Sequence, residues 1–407
     1  MIHPIGCICK RSIIVFLGAV AAILSGYAID SPLAEPTIPN NDDQILERLP
    51  VNNRDPLQRK LRAMRNALSQ DSQNIELAVD LARSYMKIGK SQADPRYFGY
   101  AQGLLSPWWD SSEPPSDVLL LRAAILQNRH DFQNALQDLE KLLRRDPQNS
   151  QAWLARASIL QVRAEYPEAQ LSCARLMVFD DTLRAATCLS QIGALTGHAA
   201  DSFILLSEAL DDGPAPSDEQ HFWSLTVLAT IAAQIGRNRE ADRIFMQALK
   251  LRGQDPYLLG VYTDFLLERD RSEEVVSLLK DKTRIDALLL RLALAKQRLG
   301  SSDLAELVTD LTKRFTASRL RGENIHPGDE ARFSLFLLNQ PLRALDLARV
   351  NWKLQREPKD IRILLEAALA ARDPDAARPA LDLLTRTSLE HPEIQRLAAQ
   401  LRIINKH

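Results

Sequence analysis

From residue 57 almost to residue 402, apolar side chains recur at every third or fourth position, interrupted at regular intervals by breaks of three to ten residues. That spacing predicts a succession of amphipathic helices, with no strand-like alternation to compete with it. Two consecutive blocks, residues 116–149 and 150–183, share one internal pattern 34 residues long, and the first ends in Asp146-Pro147-Gln148-Asn149. In the first block Leu119, Ala123, Leu126, Ala135, Leu139, Leu142 and Pro147 stand at the spacing at which two antiparallel helices interlock. Small alanines let the backbones approach, and the large residues fill the groove between them. Trp153, Ala157, Leu160, Ala169 and Cys173 repeat the pattern. A third copy begins near Phe222 with Leu225, Leu228, Ala229, Ala232, Gly236, Ala241, Phe245 and Ala248. One such helix-turn-helix unit cannot bury its apolar side alone and must stack on its neighbours.

These residues resemble the tetratricopeptide repeat, whose pattern runs large, Leu, small and large in the first helix, then Ala, large, Ala and Pro. The resemblance covers residues 56–404; its motifs are specific between 116 and 250 and diffuse after 255. It implies an all-α fold, a right-handed α-solenoid of antiparallel helix pairs forming a tetratricopeptide-like superhelix. Weaker copies occupy residues 74–105 and 186–210, and helical pairs are readable at 255–280, 284–316, 329–355 and 359–387, before Pro392 opens a last helix. Arg122 and Arg156 depart from the pattern where the family carries Leu. The expected organisation is an export segment over 1–28, a tether over 29–55, and a capping helix with a divergent repeat over 56–115. Well-matched repeats follow over 116–253, then divergent repeats and a C-terminal capping helix over 254–407.

In this family the first helix of each pair lines a concave groove, and members that clamp a peptide carboxylate place Lys, Arg and Asn there. Carried onto this chain, the groove positions are Asp117, Leu120, Leu121, Ala124, Gln127 and Asn128, then Gln151, Leu154, Ala155, Ser158, Gln161 and Val162. The third repeat adds Trp223, Thr226, Val227, Thr230, Ala233 and Gln234. Such a groove is mostly uncharged. It suits a partner helix or extended segment held by apolar contact and amide hydrogen bonds better than an acidic peptide tail. The protein's own tether or terminal helices are the alternative occupants. Trp108 and Trp109, in a loop bounded by Pro107 and Pro114-Pro115, are a second candidate contact, with hydrophobic cover between adjacent repeats as the alternative. Arg319, Arg321 and His326 form a basic segment in the break over 318–329, read as a solvated loop or a contact.

Composition adds compartment and excludes some partners. The chain has 407 residues, of which 45% are hydrophobic and only 6% aromatic, and its net charge is −1, so no global field draws it to nucleic acid. Lys10 and Arg11 precede an apolar run over 13–24, and Gly26-Tyr27-Ala28 fits signal-peptidase cleavage after Ala28. Residues 13–29 read alternatively as an uncleaved anchor, at the lower limit for spanning a bilayer. Either reading places the repeats outside the cytoplasm, in a bacterial-type periplasm, secreted, or held at the outer face of the inner membrane. Membrane contact is expected only through that segment. Between it and the repeats, five prolines (Pro32, Pro36, Pro39, Pro50 and Pro56) mark the tether. Cys173 and Cys188 come level on antiparallel helices about the turn near Asp180, which leaves open a disulfide or two buried thiols.

Signatures of catalysis are missing. His3, His130, His198, His221, His326, His391 and His407 never fall within four positions of one another, so no helical face offers two imidazoles to a metal. No phosphate-cradling glycine loop and no Gly-x-Ser-x-Gly elbow occur. Glu273-Glu274 and Asp211-Asp212 fall where helices start or end, so macrodipole compensation and solvation account for them. The expectation is a non-enzymatic scaffold or assembly factor for protein partners, with no cofactor. The alternatives are a co-scaffold of envelope polysaccharide or secretion machinery, and a polymer-acting cell-envelope enzyme.

Overall fold

A computed structural model describes residues 55–212, 216–321 and 327–404, together with positions 41 and 44. The expected export segment and almost all of the tether lie outside the described residues, as do His3, His326 and His407. Among the described residues the regular structure is entirely helical. The chain begins with α1 (Pro56–Gln70), α2 (Ile75–Gln92), α3 (Arg96–Leu104) and the single turn α4 (Ser106–Trp109). The strict repeats follow as α5 (Ser116–Asn128) with α6 (Phe132–Arg145), and α7 (Ser150–Val162) with α8 (Tyr166–Phe179). They continue with α9 (Thr182–Ala194) and α10 (Ala199–Asp211), then α11 (Asp218–Gln234) and α12 (Asn238–Arg252). The later pairs are α13 (Pro256–Leu267) with α14 (Ser272–Leu279), α15 (Asp286–Arg298) with α16 (Leu304–Leu320), and α17 (Pro327–Phe336) with α18 (Pro341–Leu354). Last come α19 (Pro358–Ala371), a 3-10 turn (Pro374–Ala377), α20 (Arg378–Thr387) and α21 (Pro392–Ile404).

One local device closes pair after pair. The amides of Asp131, Glu165, His198, Arg237, Arg271 and Ser301 each bond the carbonyl five residues back, at 2.8–3.1 Å. The residue before each of these has positive φ: His130, Ala164, Gly197, Gly236, Asp270 and Gly300. This is a left-handed C-terminal cap, which satisfies the last carbonyls of the first helix and reverses the chain for the second. Gly197 and Gly236 take that conformation without a Cβ penalty; His130 and Ala164, 34 residues apart, bear it as side-chain-bearing residues. The second helix is then launched by its own cap where one exists, as where the Asp131 carboxylate accepts the Asn134 amide at 3.4 Å. Between repeats, Asn149 and Asp181 cap α7 and α9 at 3.0 and 3.2 Å.

Packing follows the spacing. Ala135, Ala157, Ala169, Ala232, Ala241 and Ala248 are buried where neighbouring helices meet, and Phe245 is wholly enclosed beside Tyr262 and Phe265. Arg122 and Arg156 keep their places by pairing across the turn. The Arg122 guanidinium makes two 2.6 Å bonds to the buried Asp138 carboxylate, and Arg156 donates to Ser172 Oγ at 2.6 Å. A disulfide joins Cys173 of α8 to Cys188 of α9, with Cα atoms 5.4 Å apart. It links one helix pair to the next. Two sequence expectations shift in detail: Trp108 and Trp109 stand in a helical turn and not an open loop, and α16 runs to Leu320, so Arg319 is helical.

Candidate partner-binding surface

The first helices α5, α7, α9, α11 and α13 each contact the next, so their inward residues form one continuous face. Gln127 Nε2 donates to Ser158 Oγ at 3.2 Å, tying α5 to α7 across that face. Gln151, Ser158 and Thr230 are exposed; Leu120, Asn128 and Gln161 are half-buried. Thr226 is buried and donates within its helix to the Phe222 carbonyl at 2.7 Å. Leu154 and Trp223, by contrast, are half-buried against a hydrophobic cluster that runs from Ala157, Leu160 and Ile192 of the repeats to Leu345, Ile361 and Leu364 of the C-terminal helices. These two groove positions therefore belong in part to the chain's own core. Trp108 and Trp109 pack on the N-terminal cluster around Phe98 and Leu105; the Trp109 carbonyl accepts a bond from Arg122.

The C-terminal helices are held along the turns of the strict repeats by polar contacts. The Arg356 amide donates to the Val162 carbonyl at 2.8 Å, and its guanidinium reaches the Arg163 carbonyl at 3.2 Å while lying 5.9 Å from the centre of the Trp352 ring. Glu390 Oε2 accepts the Ala199 amide at 3.0 Å. Ala199 opens α10, whose own N-cap, His198, supplies no side-chain bond, so a residue 191 positions away satisfies a helix-start donor. A Cβ on Gly197 would stand 3.0 Å from Ser388 Cβ, which is how closely the two turns approach. Arg362 bridges Glu268 at 2.5 Å and Glu366 at 2.8 Å. His391 lies near this group, where burial lowers its pKa against the opposing pull of Glu268.

Deeper in, charges are paired. Asp264 Oδ2 accepts from Arg291 at 2.5 Å and Oδ1 from Arg332 at 3.1 Å, joining α13, α15 and α17. Burial pushes that carboxyl up, but the two guanidinium groups hold it well below the usual carboxylate range. Asp360 differs: burial raises its pKa to about 6, although Asn351 Nδ2 and the Glu357 amide donate to it at 2.8 and 2.9 Å. Arg319 pairs with Glu330, which Arg343 also reaches at 2.7 Å, so that basic residue of the 318–329 break serves the fold.

Among the described residues no cluster of three or more His, Cys, Asp or Glu side chains is arranged to hold a metal ion. No described helix is long and apolar enough to cross a membrane. A cleft of about 580 Å³ between α18 and α20 is lined by Trp352, Arg356, Arg378, Asp382, Leu383 and Arg386, and is open to solvent. What recurs instead is a 34-residue helix pair with one turn geometry. The chain is tetratricopeptide-like. No model of a known protein family matches the sequence, and no curated protein matches it either. Solved structures similar in fold include a tetratricopeptide repeat protein from Parabacteroides merdae, at 14% identity over 62% of this chain and 98% of that one, TM-score 0.38. The human IFIT1 dimer with m7Gppp-AAAA matches at 14% identity over 86% of this chain and 87% of that one, TM-score 0.43. The APC/C hetero-tetramer Cut9-Hcn1 matches at 13% identity over 86% and 91%, TM-score 0.40.

The rim contacts were not readable from sequence, since Arg356 and Glu390 sit in segments without a repeat motif. A signal for Arg122–Asp138 did exist. Both residues are eight positions from His130, so a turn there sets them level. Arg156 and Ser172 are mirrored in the same way about Ala164.

Proposed function

We propose that this protein is a non-enzymatic protein-interaction scaffold or assembly factor acting outside the cytoplasm, and that it holds a partner segment on its inner face. The observation that carries this reading is the face itself: side-by-side first helices presenting Gln151, Ser158 and Thr230, exposed and uncharged, beside half-buried Asn128 and Gln161. An amide- and hydroxyl-lined floor of this kind favours a neutral or amphipathic segment that brings its own backbone or side-chain hydrogen bonds. Leu154 and Trp223, half-buried against the core, set the limit of this exposed floor.

Export is supported by two independent features. Basic and apolar segments followed by Gly26-Tyr27-Ala28 have the order of a secretory signal, and the Cys173–Cys188 bond belongs in an oxidising compartment. Cell fractionation with mass spectrometry of the mature N-terminus tests it; a cytoplasmic protein that retains Met1 and has free thiols at Cys173 and Cys188 refutes export. For the groove, tagged wild-type protein and a Gln151→Arg/Ser158→Arg/Thr230→Arg variant are compared in cross-linked pull-downs from envelope membranes. Loss of specific partners from the folded variant supports the reading, and retention of all of them removes the inner face from consideration.

A further inference from the structure

The outer helices of the stack differ in what they expose. On α6 the outward positions are polar: Gln133, Asn134, Gln137, Glu140 and Arg144. On α8 a central apolar strip replaces them, with Leu171 68%, Met177 67% and Val178 81% exposed between Glu168, Gln170 and Arg175, and on α10 Ile204 is 50% and Leu205 44% exposed. The exposed surface of these five side chains is on the order of 600 Å², so two copies that cover it bury about 1,200 Å², the lower end of specific protein interfaces.

The arrangement within α8 says what covers it. Pro167, Leu171, Ala174 and Val178 follow one another at intervals of four, three and four residues, the spacing of a helix-pairing seam, with small Ala174 at its middle. Along one side of that seam lie Glu168 and Arg175, seven residues apart. The other side carries Gln170 and Met177. Arg175 rests 5.9 Å from the centre of the Trp153 ring, and Glu168 engages only its backbone carbonyl, with Arg156 and Ser172. Among the described residues neither side chain has an opposite charge to meet.

We propose that α8 pairs antiparallel with α8 of a second copy of this chain about a two-fold axis. In an antiparallel seam, flanking positions on the same side meet each other, so Glu168 faces Arg175 of the partner subunit and Arg175 faces Glu168 of the partner subunit. A parallel pair sets Arg175 against Gln170 of the partner subunit and leaves the charges unmatched. The acidic border formed by Asp201, Glu208, Asp211 and Asp212 disfavours an anionic lipid surface as the occupant. The Cys173–Cys188 bond fixes α8 to α9 directly beneath the seam, so the pairing face is presented already ordered.

Sedimentation velocity across a dilution series of the purified chain tests the pairing. The wild type sediments as a dimer that dissociates on dilution. Leu171→Asp/Val178→Asp, both substitutions at solvent-facing positions, yields a monomer with unchanged helical circular dichroism and melting. Glu168→Arg and Arg175→Glu each set like charges opposite one another at two symmetric places, and each weakens the dimer about tenfold. The double reversal Glu168→Arg/Arg175→Glu restores it. A wild type that is monomeric at every concentration overturns the proposal, as does a dimer indifferent to Leu171→Asp/Val178→Asp. Failure of the double reversal to recover what the single reversals lose overturns the antiparallel two-fold arrangement.

Discussion

Replacing Glu390 by alanine removes a side chain that meets the start of α10 from the far end of the sequence. Its carboxylate accepts the Ala199 amide at 3.0 Å, at a helix start with no other side-chain cap. Loss of a capping acceptor costs about 1 kcal/mol, and loss of a negative charge beside a helix N-terminus adds about 0.3–1 kcal/mol in a solvent-exposed setting. Glu390 is exposed, so the combined effect is held to about 1–2 kcal/mol and shrinks as salt is added. That is small against the whole fold but large for one docking contact. Native-state hydrogen exchange separates the two scales: amides at the start of α10 and in the 388–391 link exchange about 5–30-fold faster, while those of α5 and α6 keep their rates. Glu390→Gln keeps an acceptor without the charge and falls between. Unchanged exchange at Ala199 and its neighbours in Glu390→Ala would refute the view that this contact holds the C-terminal helices to the repeats.

Three further outcomes are expected. Cys173→Ser/Cys188→Ser opens a loop of sequence separation 15, and chain entropy sets the loss at about 3 kcal/mol, read as a lower calorimetric midpoint that reductant reproduces in the wild type and not in the variant. Asp138→Ala strands the Arg122 guanidinium in a half-buried site and costs about 3–5 kcal/mol, whereas Arg122→Leu/Asp138→Leu recovers most of that stability in denaturant titrations. Because burial raises the folded Asp360 pKa from 3.8 to about 6, the fold binds this proton more tightly than the unfolded chain does. Its stabilising contribution is full below pH 3.8 and lost as the pH rises through 6. Asp360→Asn flattens that part of the melting-temperature profile, and an unaltered profile assigns the pH dependence elsewhere.

The helix pairs were legible because their determinants are local. Alanine against leucine at fixed spacing, a left-handed residue at positions 130 and 164, and proline after the second helix all act within one 34-residue unit. Even the diffuse pairs after residue 255 could be placed, since Pro256, Pro341, Pro358 and Pro392 each stand at the first residue of a helix. The juxtaposition of Cys173 and Cys188 was readable by reflection about Asp180. What fills the inner face was not. Leu154 and Trp223 read as groove residues by position, yet both are half-buried against a cluster that joins the repeats to helices some 200 residues later. Pairings such as Arg356 with Arg163 leave no periodic trace, because each turn spends one residue on them. Trp108 and Trp109 misled as a loop because α4 is a single turn between Leu105 and Asp110, too short for a hydrophobic period.

The contact between Arg356 and Arg163 has a consequence for the order of assembly. It closes a loop of sequence separation 193, against 15 for the disulfide, and in a flexible chain that difference alone adds about 2 kcal/mol of closure entropy. The disulfide-bearing hairpins can form as soon as their own residues are available, whereas the Arg356 contact must wait for every helix pair between. Stacking those pairs brings the two edges together one short step at a time, so the long closure is met at little further entropic cost. A chain arriving from its N-terminus would therefore lock only when its last helices arrive, and a truncated product would leave the Val162 and Arg163 carbonyls and the Ala199 amide without these partners.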